Sequence, residues 1–150
     1  MNIYITNDHA GTSLKYCLLN HLSTHHTAVE IINLGTNTSE SVDYPDQAHL
    51  LANSLLSAME KQEKAIGIAI CGSGNGINIT LNKYANIRSA LCWNKEIATL
   101  ARQHNDANVL TLPARFISNE LAVEILDIFL STRFEAGRHA TRINKIQIQE

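Results

Sequence analysis

Short runs of apolar and β-branched residues alternate along the chain with segments in which apolar positions recur every three or four residues. The short runs are typical of buried strands, whereas Leu14, Leu18 and Leu22 mark one face of an amphipathic helix. The pattern predicts strands at residues 2–6, 28–34, 65–70, 87–92 and 108–112. It predicts helices around 14–22, from Pro45 to about Lys61, from the 72–76 loop to about Lys83, at 94–104, around 121–129 and after Gly137.

Five strands that alternate with helices imply an α/β fold, in which a five-stranded parallel sheet lies between two layers of helices. We expect a single domain over residues 1–150, because this length suits one hydrophobic core. Ligands of such folds bind at the carboxyl ends of the strands. This edge would carry Asp8 and His9 after the first strand, residues 71–74 after the third, and Arg115 after the fifth.

Composition and charge narrow the possible function classes. Apolar residues make up 45% of the chain and charged residues 17%, with a net charge of −2 and no basic stripe, so we expect no nucleic-acid partner. The first residues lack the basic lead and apolar core of a signal peptide, and no run of about 18 apolar residues predicts a membrane span. The three cysteines, Cys17, Cys71 and Cys92, form no CxxC pair, which favours free thiols in a reducing cytoplasm.

Three glycines at every second position, Gly72, Gly74 and Gly76, follow the third strand in the sequence CGSGNG. Glycine lets the backbone turn sharply and approach a ligand, and the N–H groups that open the next helix favour anionic oxygens. A Walker loop would need a lysine here, and a dinucleotide fingerprint would need GxGxxG with an acid after the next strand. Neither is present, so a sugar or phosphate cradle and a plain strand-to-helix turn stay open as alternatives.

Cys71 stands at the last position of the third strand and faces the start of the next helix. This environment predicts a thiol pKa lowered from about 8.5 toward neutrality. The thiolate could act as a nucleophile, which requires a nearby base, or as a general base, which requires only reach to a C–H bond. Cys17 falls on the apolar face of its helix and is interpreted as a small hydrophobic residue.

Two segments that contain acids and histidines allow both a structural and a chemical interpretation. Asp8 can cap the helix that follows it, with His9 in solvent, or the pair can bind sugar hydroxyls and phosphate. His104 lies in RQHNDANV, where histidine and asparagine commonly end a helix. This segment precedes the fifth strand, so within one chain His104 should face away from Cys71, and a catalytic role would need a neighbouring chain.

Arg138 and Arg142 are four residues apart in the tail and share one helix face. Two guanidinium groups can hold a phosphate through paired hydrogen bonds, although a charged tail helix is more often simply solvated. Trp93 could stack on a ligand or pack against the protein. No pair among the remaining helical histidines has a metal-ligand setting, so we expect surface positions and no metal at His21, His25, His26 and His49.

These motifs, in this order, resemble the ribose-5-phosphate isomerase B family, which also contains the galactose-6-phosphate isomerase subunits. The resemblance covers nearly the whole chain, and a long set of dispersed motifs is far more specific than one glycine loop. It rests on NDHAG (7–11), SVDYPDQA (41–48), ICGSGNGINITLNKYANIRSALC (70–92), RQHNDANVL (102–110) and GRHATR (137–142).

The resemblance implies a Rossmann-like three-layer sandwich with a C-terminal tail helix, and an aldose–ketose isomerisation of a sugar phosphate without metal or organic cofactor. After ring opening, a base would remove the C2 proton, a cis-enediolate would form, and the proton would return at C1. By resemblance Cys71 is this base, His104 from a partner subunit assists ring opening, and Ser73 binds the enediolate oxygen. The implied substrate-binding residues are Asp8, His9, Tyr44, Gly72, Gly74, Asn75, Gly76, Asn105, Arg115, Arg138 and Arg142.

The resemblance also implies a homodimer or tetramer whose subunits exchange the tail helix and build shared sites. Some positions depart from the family pattern: Ser73 replaces a threonine but keeps the hydroxyl, Ala136 replaces a common glycine, and Asn7 is less usual before Asp-His. Trp93 replaces a smaller or polar residue, which leaves pentose against hexose preference open. Ribose 5-phosphate is the leading substrate. The alternatives are a hexose 6-phosphate, such as allose or galactose 6-phosphate, and a non-catalytic sugar-phosphate-binding module.

Overall fold

The computed structural model describes residues 1–146 and contains all of the predicted strands and helices. The strands are β1 (Asn2–Asn7), β2 (Glu30–Asn33), β3 (Ala65–Cys71), β4 (Ser89–Leu91) and β5 (Val109–Pro113). The helices are α1 (Thr12–His25), α2 (Tyr44–Glu60), α3 (Asn75–Leu81), α4 (Lys95–Asn105), α5 (Asn119–Ser131) and α6 (Arg138–Ile143), and a 3₁₀ turn at His9–Gly11 precedes α1. β2 and β4 are shorter than predicted, since each lies at a sheet edge and pairs with one neighbour only. Within residues 1–146, none of the helices combines the length and the apolar character that crossing a membrane requires.

The strands form one parallel sheet in the order β2-β1-β3-β5-β4. The chain moves from β1 outward to β2 and then returns to β3 on the other side of β1, so the winding direction reverses between β1 and β3. In open α/β sheets such a switch point leaves a crevice for a ligand at the carboxyl ends of the strands. Asn7 pairs with Ile70 there, and the Asp8 N–H donates to the Ile70 carbonyl at 3.0 Å. Asp8 and Cys71 therefore border the crevice from two adjacent strands.

Two apolar clusters cover the two faces of the sheet and make the three-layer α/β sandwich that the pattern predicts. α1, α4 and α5 pack on one face, around Leu18, Ile70 and Phe129. α2 and α3 pack on the other face, around Leu51 and Cys71. Because side chains alternate along a strand, consecutive residues of β3 belong to opposite layers. This alternation directs the thiol toward the α2 and α3 layer, where the glycine loop begins.

Lys15 is fully buried in α1, which the apolar pattern of this helix does not predict. Its ammonium group donates to the Thr36 carbonyl and, at 2.8 Å, to Oδ1 of Asn37. Burial lowers the pKa of Lys15, and these oxygens provide the partners that a buried polar group requires. The Thr12 hydroxyl also donates to the Thr38 carbonyl at 2.7 Å. These contacts attach the loop after β2 to the first turns of α1, beside the crevice.

Candidate active site

The loop between β3 and α3 bends through Gly74, whose φ of 77° lies in the left-handed region that favours glycine. A Cβ at this position would also collide with the Leu91 side chain. At Gly72, three side-chain atoms of Arg115 lie 3.4 Å from the place that a Cβ would take. The Arg115 N–H donates to the Gly72 carbonyl at 3.0 Å. Gly72 thus lets the Arg115 side chain come close to the loop backbone, and Gly74 does the same for Leu91.

Cys71 ends β3 at the start of this loop and is only 4% exposed. The Gly74 N–H donates to the Cys71 Sγ at 3.2 Å. Burial is the largest influence and raises the pKa of the thiol, and the negative charge of Asp8 raises it further. The backbone N–H groups of Ile77, Gly74 and Ser73 oppose this change but do not reverse it. The predicted fall of the thiol pKa toward neutrality is therefore wrong for the free chain, because desolvation and the Asp8 charge together outweigh the loop amides.

Asp8 caps the 3₁₀ turn that follows β1. Its Oδ1 accepts hydrogen bonds from the N–H groups of Ala10 at 3.0 Å and Gly11 at 3.3 Å. The capping interpretation of Asp8 is thereby confirmed. Its carboxylate nevertheless borders the crevice closely enough to affect the Cys71 thiol, so sugar binding by the same residue stays a prediction.

Tyr44 and His9 border the glycine loop and the start of α2. The Tyr44 ring lies directly over Gly76, where a Cβ would collide with it. The Val42 N–H donates to Nδ1 of His9 at 3.3 Å. Because Nδ1 acts as an acceptor, the neutral His9 ring carries its proton on Nε2. The third glycine of the loop therefore makes room for an aromatic side chain.

Ser73 and Asn75 are exposed at the mouth of the loop, where the Asn75 N–H donates to the Ser73 Oγ at 3.3 Å. The structure brings these two residues together with the other predicted residues of the carboxyl edge. We call this group the carboxyl-edge cluster, and its members are Asp8, His9, Tyr44, Cys71, Ser73, Asn75 and Arg115.

His104 and Asn105 end α4, and three residues separate this end from the start of β5 at Val109, so both lie at the opposite edge of the sheet. The rings of His104 and His139 stack, with centroids 4.1 Å apart and planes 7° apart. Arg142 lines a cavity of about 320 Å³ with both histidines and Asn105. We call His104, Asn105, His139 and Arg142 the amino-edge cluster.

His139 is buried beside several positive charges. Burial lowers its pKa, and the charges of His104, Arg138 and Arg142 lower it further, while Glu135 opposes them. Oε2 of Glu135 lies 3.8 Å from Nε2 of His139 and 3.9 Å from Nε2 of His104. Sequence reasoning singled out the two arginines of GRHATR and not the histidine between them. The sequence did contain a signal for His139. Neighbouring positions of a helix point in different directions, so an exposed Arg138 predicts that His139 points toward the protein.

One chain therefore divides the predicted site residues between the two edges of the sheet. Cys71 and Arg115 belong to the carboxyl-edge cluster, whereas His104 and Arg142 belong to the amino-edge cluster, as strand direction predicts for His104. Arg138 and Arg142, the predicted phosphate pair, both lie on α6, whereas Arg115 lies at the opposite edge of the sheet, so one chain does not bring Arg115 to the phosphate position of that pair. Trp93 follows β4 at the carboxyl edge and is 52% exposed, so its side chain does not pack into the core.

Two of the four remaining helical histidines are not simple surface residues. His25 and His49 are exposed as expected. By contrast, Nε2 of His21 and Nε2 of His26 each lie 2.8 Å from Oδ1 of Asp127 on α5. The carboxylate is 106 positions from His21 in the sequence, so no local spacing could indicate this cluster.

The chain is similar to proteins of known class over almost its full length. Residues 3–146 match a family model described as Ribose/Galactose Isomerase. The chain is 42% identical over 139 residues to ribose-5-phosphate isomerase B of Escherichia coli, which covers 93% of this chain and 89% of that protein. Its structure is similar to that of ribose-5-phosphate isomerase B from Clostridium thermocellum, with a TM-score of 0.90 and 42% identity over 97% of this chain and 95% of that one. It is also similar to the Mycoplasma genitalium ribose-5-phosphate isomerase B with bound ribulose 5-phosphate, with a TM-score of 0.88 and 40% identity over 97% and 93% of the two chains.

Proposed function

Because the chain belongs to the ribose/galactose isomerase family and is a sugar-phosphate isomerase, we propose that it interconverts ribose 5-phosphate and ribulose 5-phosphate with Cys71 as the base. One observation carries this proposal. Cys71 is the last residue of the central strand, beside the switch-point crevice, and its sulfur accepts a hydrogen bond from the Gly74 N–H at 3.2 Å. Ribulose 5-phosphate, which is bound to the Mycoplasma genitalium relative, is the ketose that this reaction would form.

The proposed chemistry moves one proton between two adjacent carbons. The Cys71 thiolate removes the proton from C2 of the open-chain aldose, and the electrons of that C–H bond form the C1–C2 double bond of an enediolate. The negative charge collects on the C1 oxygen, which then takes the proton of the C2 hydroxyl. The thiol returns its proton to C1 as the C2 carbonyl forms. C1 is reduced from an aldehyde to an alcohol while C2 is oxidised from an alcohol to a ketone, so the step needs no added oxidant or reductant.

The glycine loop supplies the donors that this proposal needs for the enediolate oxygen. Ser73 offers an exposed hydroxyl, and the backbone N–H groups of Ser73, Gly74 and Ile77 face the sulfur. Donors aimed at charge that develops in the transition state contribute about 3–4 kcal/mol each in comparable sites. Donors of this kind stabilise an anionic intermediate beside Cys71 more than they stabilise a bound neutral sugar, which favours an enzyme over a binding module.

A raised thiol pKa agrees with the role of a carbon base. A thiol that holds its proton more tightly gives a stronger base once it is ionised, and the C2 proton of a sugar is only weakly acidic. The accompanying effect is a smaller thiolate fraction at neutral pH. Asp8 sets part of this balance, because its negative charge acts on the thiol.

We propose further that the complete site forms between two copies of the chain, from the carboxyl-edge cluster of one and the amino-edge cluster of the other. The carboxyl-edge cluster contains Cys71 but not His104, and the amino-edge cluster contains His104 and Arg142 but not Cys71. In this arrangement His104 assists opening of the sugar ring and Arg142 binds the phosphate. The other proposed contacts are the hydroxyls and ring oxygen for Asp8, His9, Tyr44 and Asn105, and the phosphate for Arg115 and Arg138.

Replacement of Cys71 separates an enzyme from a binding module. In Cys71→Ala we expect turnover of ribose 5-phosphate to fall by about 10²–10⁴-fold, with the Michaelis constant within a few-fold, because only the base is lost. Cys17→Ala is the matched control, since Cys17 lies half-buried in α1 and outside both clusters, and it should keep wild-type turnover. A Cys71→Ala chain that still forms ketose at the wild-type rate would remove Cys71 from the mechanism.

The same assay decides the substrate. Ribose 5-phosphate, allose 6-phosphate and galactose 6-phosphate are offered separately to the purified chain, and ketose formation is followed. We expect the largest kcat/KM for ribose 5-phosphate. A larger value for a hexose 6-phosphate would overturn this choice and point to Trp93, whose exposed ring stands at the carboxyl edge.

A further inference from the structure

We propose that His21, His26 and Asp127 bind a divalent transition-metal ion at a site separate from both clusters of the candidate active site. One ligand atom from each of the three side chains lies within 4.8 Å of the ligand atoms of the other two. Both Nε2 atoms lie 2.8 Å from the same carboxylate oxygen, Oδ1, so the two rings point their edges at one place. The proposal depends on this convergence of three ligand atoms from two helices.

The ends of α1 and α5 fix the three side chains in position. His21 lies in the last turns of α1, and His26 is its C-cap residue, with φ of −122° and ψ of 54°. The His26 N–H donates to the Leu22 carbonyl at 2.9 Å, and the Val29 N–H donates to the His26 carbonyl at 3.2 Å. Asp127 lies on α5, which packs against α1 through the apolar cluster on that face of the sheet. The backbone therefore orients the ligands before any ion arrives.

The donor set suits a borderline cation such as Zn²⁺. Imidazole nitrogen and carboxylate oxygen bind zinc at about 2.0–2.2 Å, which separates neighbouring ligand atoms of a tetrahedral site by about 3.3 Å. A shift of about half an ångström at each N···O contact would therefore admit the ion. Asp127 is 45% exposed and His26 is 27% exposed at the side chain, so the fourth position is open to water.

Asp127 supplies the negative charge of the site. Despite its partial burial, the pKa of Asp127 is lowered, because both histidines donate hydrogen bonds to the carboxylate. The carboxylate is thus ionised and ready to act as a ligand at neutral pH. When the ion binds, each Nε2 gives up its proton, either to solvent or by a change to the tautomer that carries the proton on Nδ1, and two N–H···O hydrogen bonds are replaced by three coordinate bonds that join the end of α1 to α5.

A second group of side chains that can ligate metals is less suited to hold an ion. His104, Glu135 and His139 also lie near one another, but the two imidazole rings are stacked face to face with planes 7° apart. Their contacts to the glutamate oxygen are 3.8 and 3.9 Å long. Stacked rings direct their nitrogens side by side rather than toward a common point. Both histidines of this group also belong to the amino-edge cluster.

Zinc titration of the full, untagged chain tests the site. After treatment with EDTA, we expect isothermal titration with ZnSO₄ to give one zinc per chain, and the melting temperature to rise with zinc concentration up to about 100 µM. Asp127→Asn and His26→Gln keep similar shape and should each weaken zinc binding by about tenfold or more, because each removes one ligand. His49→Gln is the control for binding by exposed histidines and should bind as the wild type does.

Two results would overturn the metal site. One is the absence of saturable zinc uptake by the wild-type chain. The other is equal affinity in Asp127→Asn, His26→Gln and His49→Gln, which would mean that zinc binds elsewhere. Repeating the titration with Cys71→Ala keeps this test independent of the proposed isomerase, because zinc uptake should be unchanged whether or not Cys71 is the base.

Discussion

The Tyr44 ring lies over Gly76 at a distance that leaves no room for a methyl group. Gly76 has an ordinary backbone φ, so a substitution there would act on the ring and not on the backbone. We predict that Gly76→Ala displaces the ring, raises the Michaelis constant for sugar phosphate several-fold or more, and costs less than about 1 kcal/mol of unfolding free energy, because the exposed ring can swing aside. Steady-state kinetics and urea denaturation measure the two effects.

A double-mutant cycle checks the cause of this loss. If Gly76→Ala acts through Tyr44, it should have little further effect on the Michaelis constant in a Tyr44→Ala chain. Full additivity of the two changes would contradict the contact as the cause. Gly74→Ala is the contrasting variant, since it combines a left-handed φ with a collision against Leu91 and should lower stability by about 2 kcal/mol or more.

The position of Asp8 near Cys71 predicts how activity depends on pH. The raised pKa of the thiol means that the thiolate fraction, and with it kcat/KM, should increase as pH rises through an alkaline range. Asp8→Asn keeps a capping oxygen but removes the negative charge, so it should move this rising limb to lower pH by up to about one unit. Kinetics and the rate of thiol alkylation against pH both report the shift.

Alkylation is best followed in a Cys17→Ala background, which removes the half-buried thiol of α1. Cys92 will not interfere, because burial raises its pKa to about 12. An unchanged limb, or one that moves to higher pH, would show that the Asp8 charge does not act on the thiol.

The succession of strands and helices along the chain, the place of Cys71 and the separation of His104 from it could be predicted from the sequence, because each follows from local periodicity and strand direction. The order of the strands within the sheet was not predicted, since it depends on which strands pair after the chain folds. The sign of the thiol pKa change could not be predicted, since it depends on how completely α2 and α3 exclude water from the sulfur. Lys15 was not expected in the core either, because its partners come from a loop beyond β2. The same reason hid the cluster at Asp127, whose members are close only after α1 and α5 pack.

Ala136 lies in a backbone conformation that favours glycine. Its φ of 57° lies in the left-handed region, where the Cβ of alanine is crowded and glycine would not be. The chain therefore carries backbone strain immediately before Gly137 and α6. The sequence shows that alanine precedes Gly137, but only the backbone geometry shows that this alanine is strained.

The two clusters predict that inactive chains can restore one another. We expect Cys71→Ala and His104→Ala chains to be separately inactive or weak. After subunit exchange, a mixture should recover about one quarter of wild-type activity, because half of the dimers are mixed and one of their two sites is intact. The control is a mixture of Cys71→Ala with Cys71→Ser, which carries both changes in the same cluster and should recover nothing. Equal activity of the two mixtures would count against sites shared between copies.

The lowered pKa of His139 predicts a loss of stability in mild acid. In the folded chain this ring resists protonation because it is buried among the positive charges of His104, Arg138 and Arg142, whereas in the unfolded chain it titrates near the usual value of about 6.5. The unfolded chain then binds more protons than the folded one as pH falls below that value, so the unfolding free energy should decrease with it. Urea denaturation between pH 7.5 and 5.5 should show a steeper decrease for the wild type than for His139→Asn. The comparison uses slopes against pH, so a change in stability at neutral pH does not affect it, and parallel slopes would exclude His139 as the titrating group.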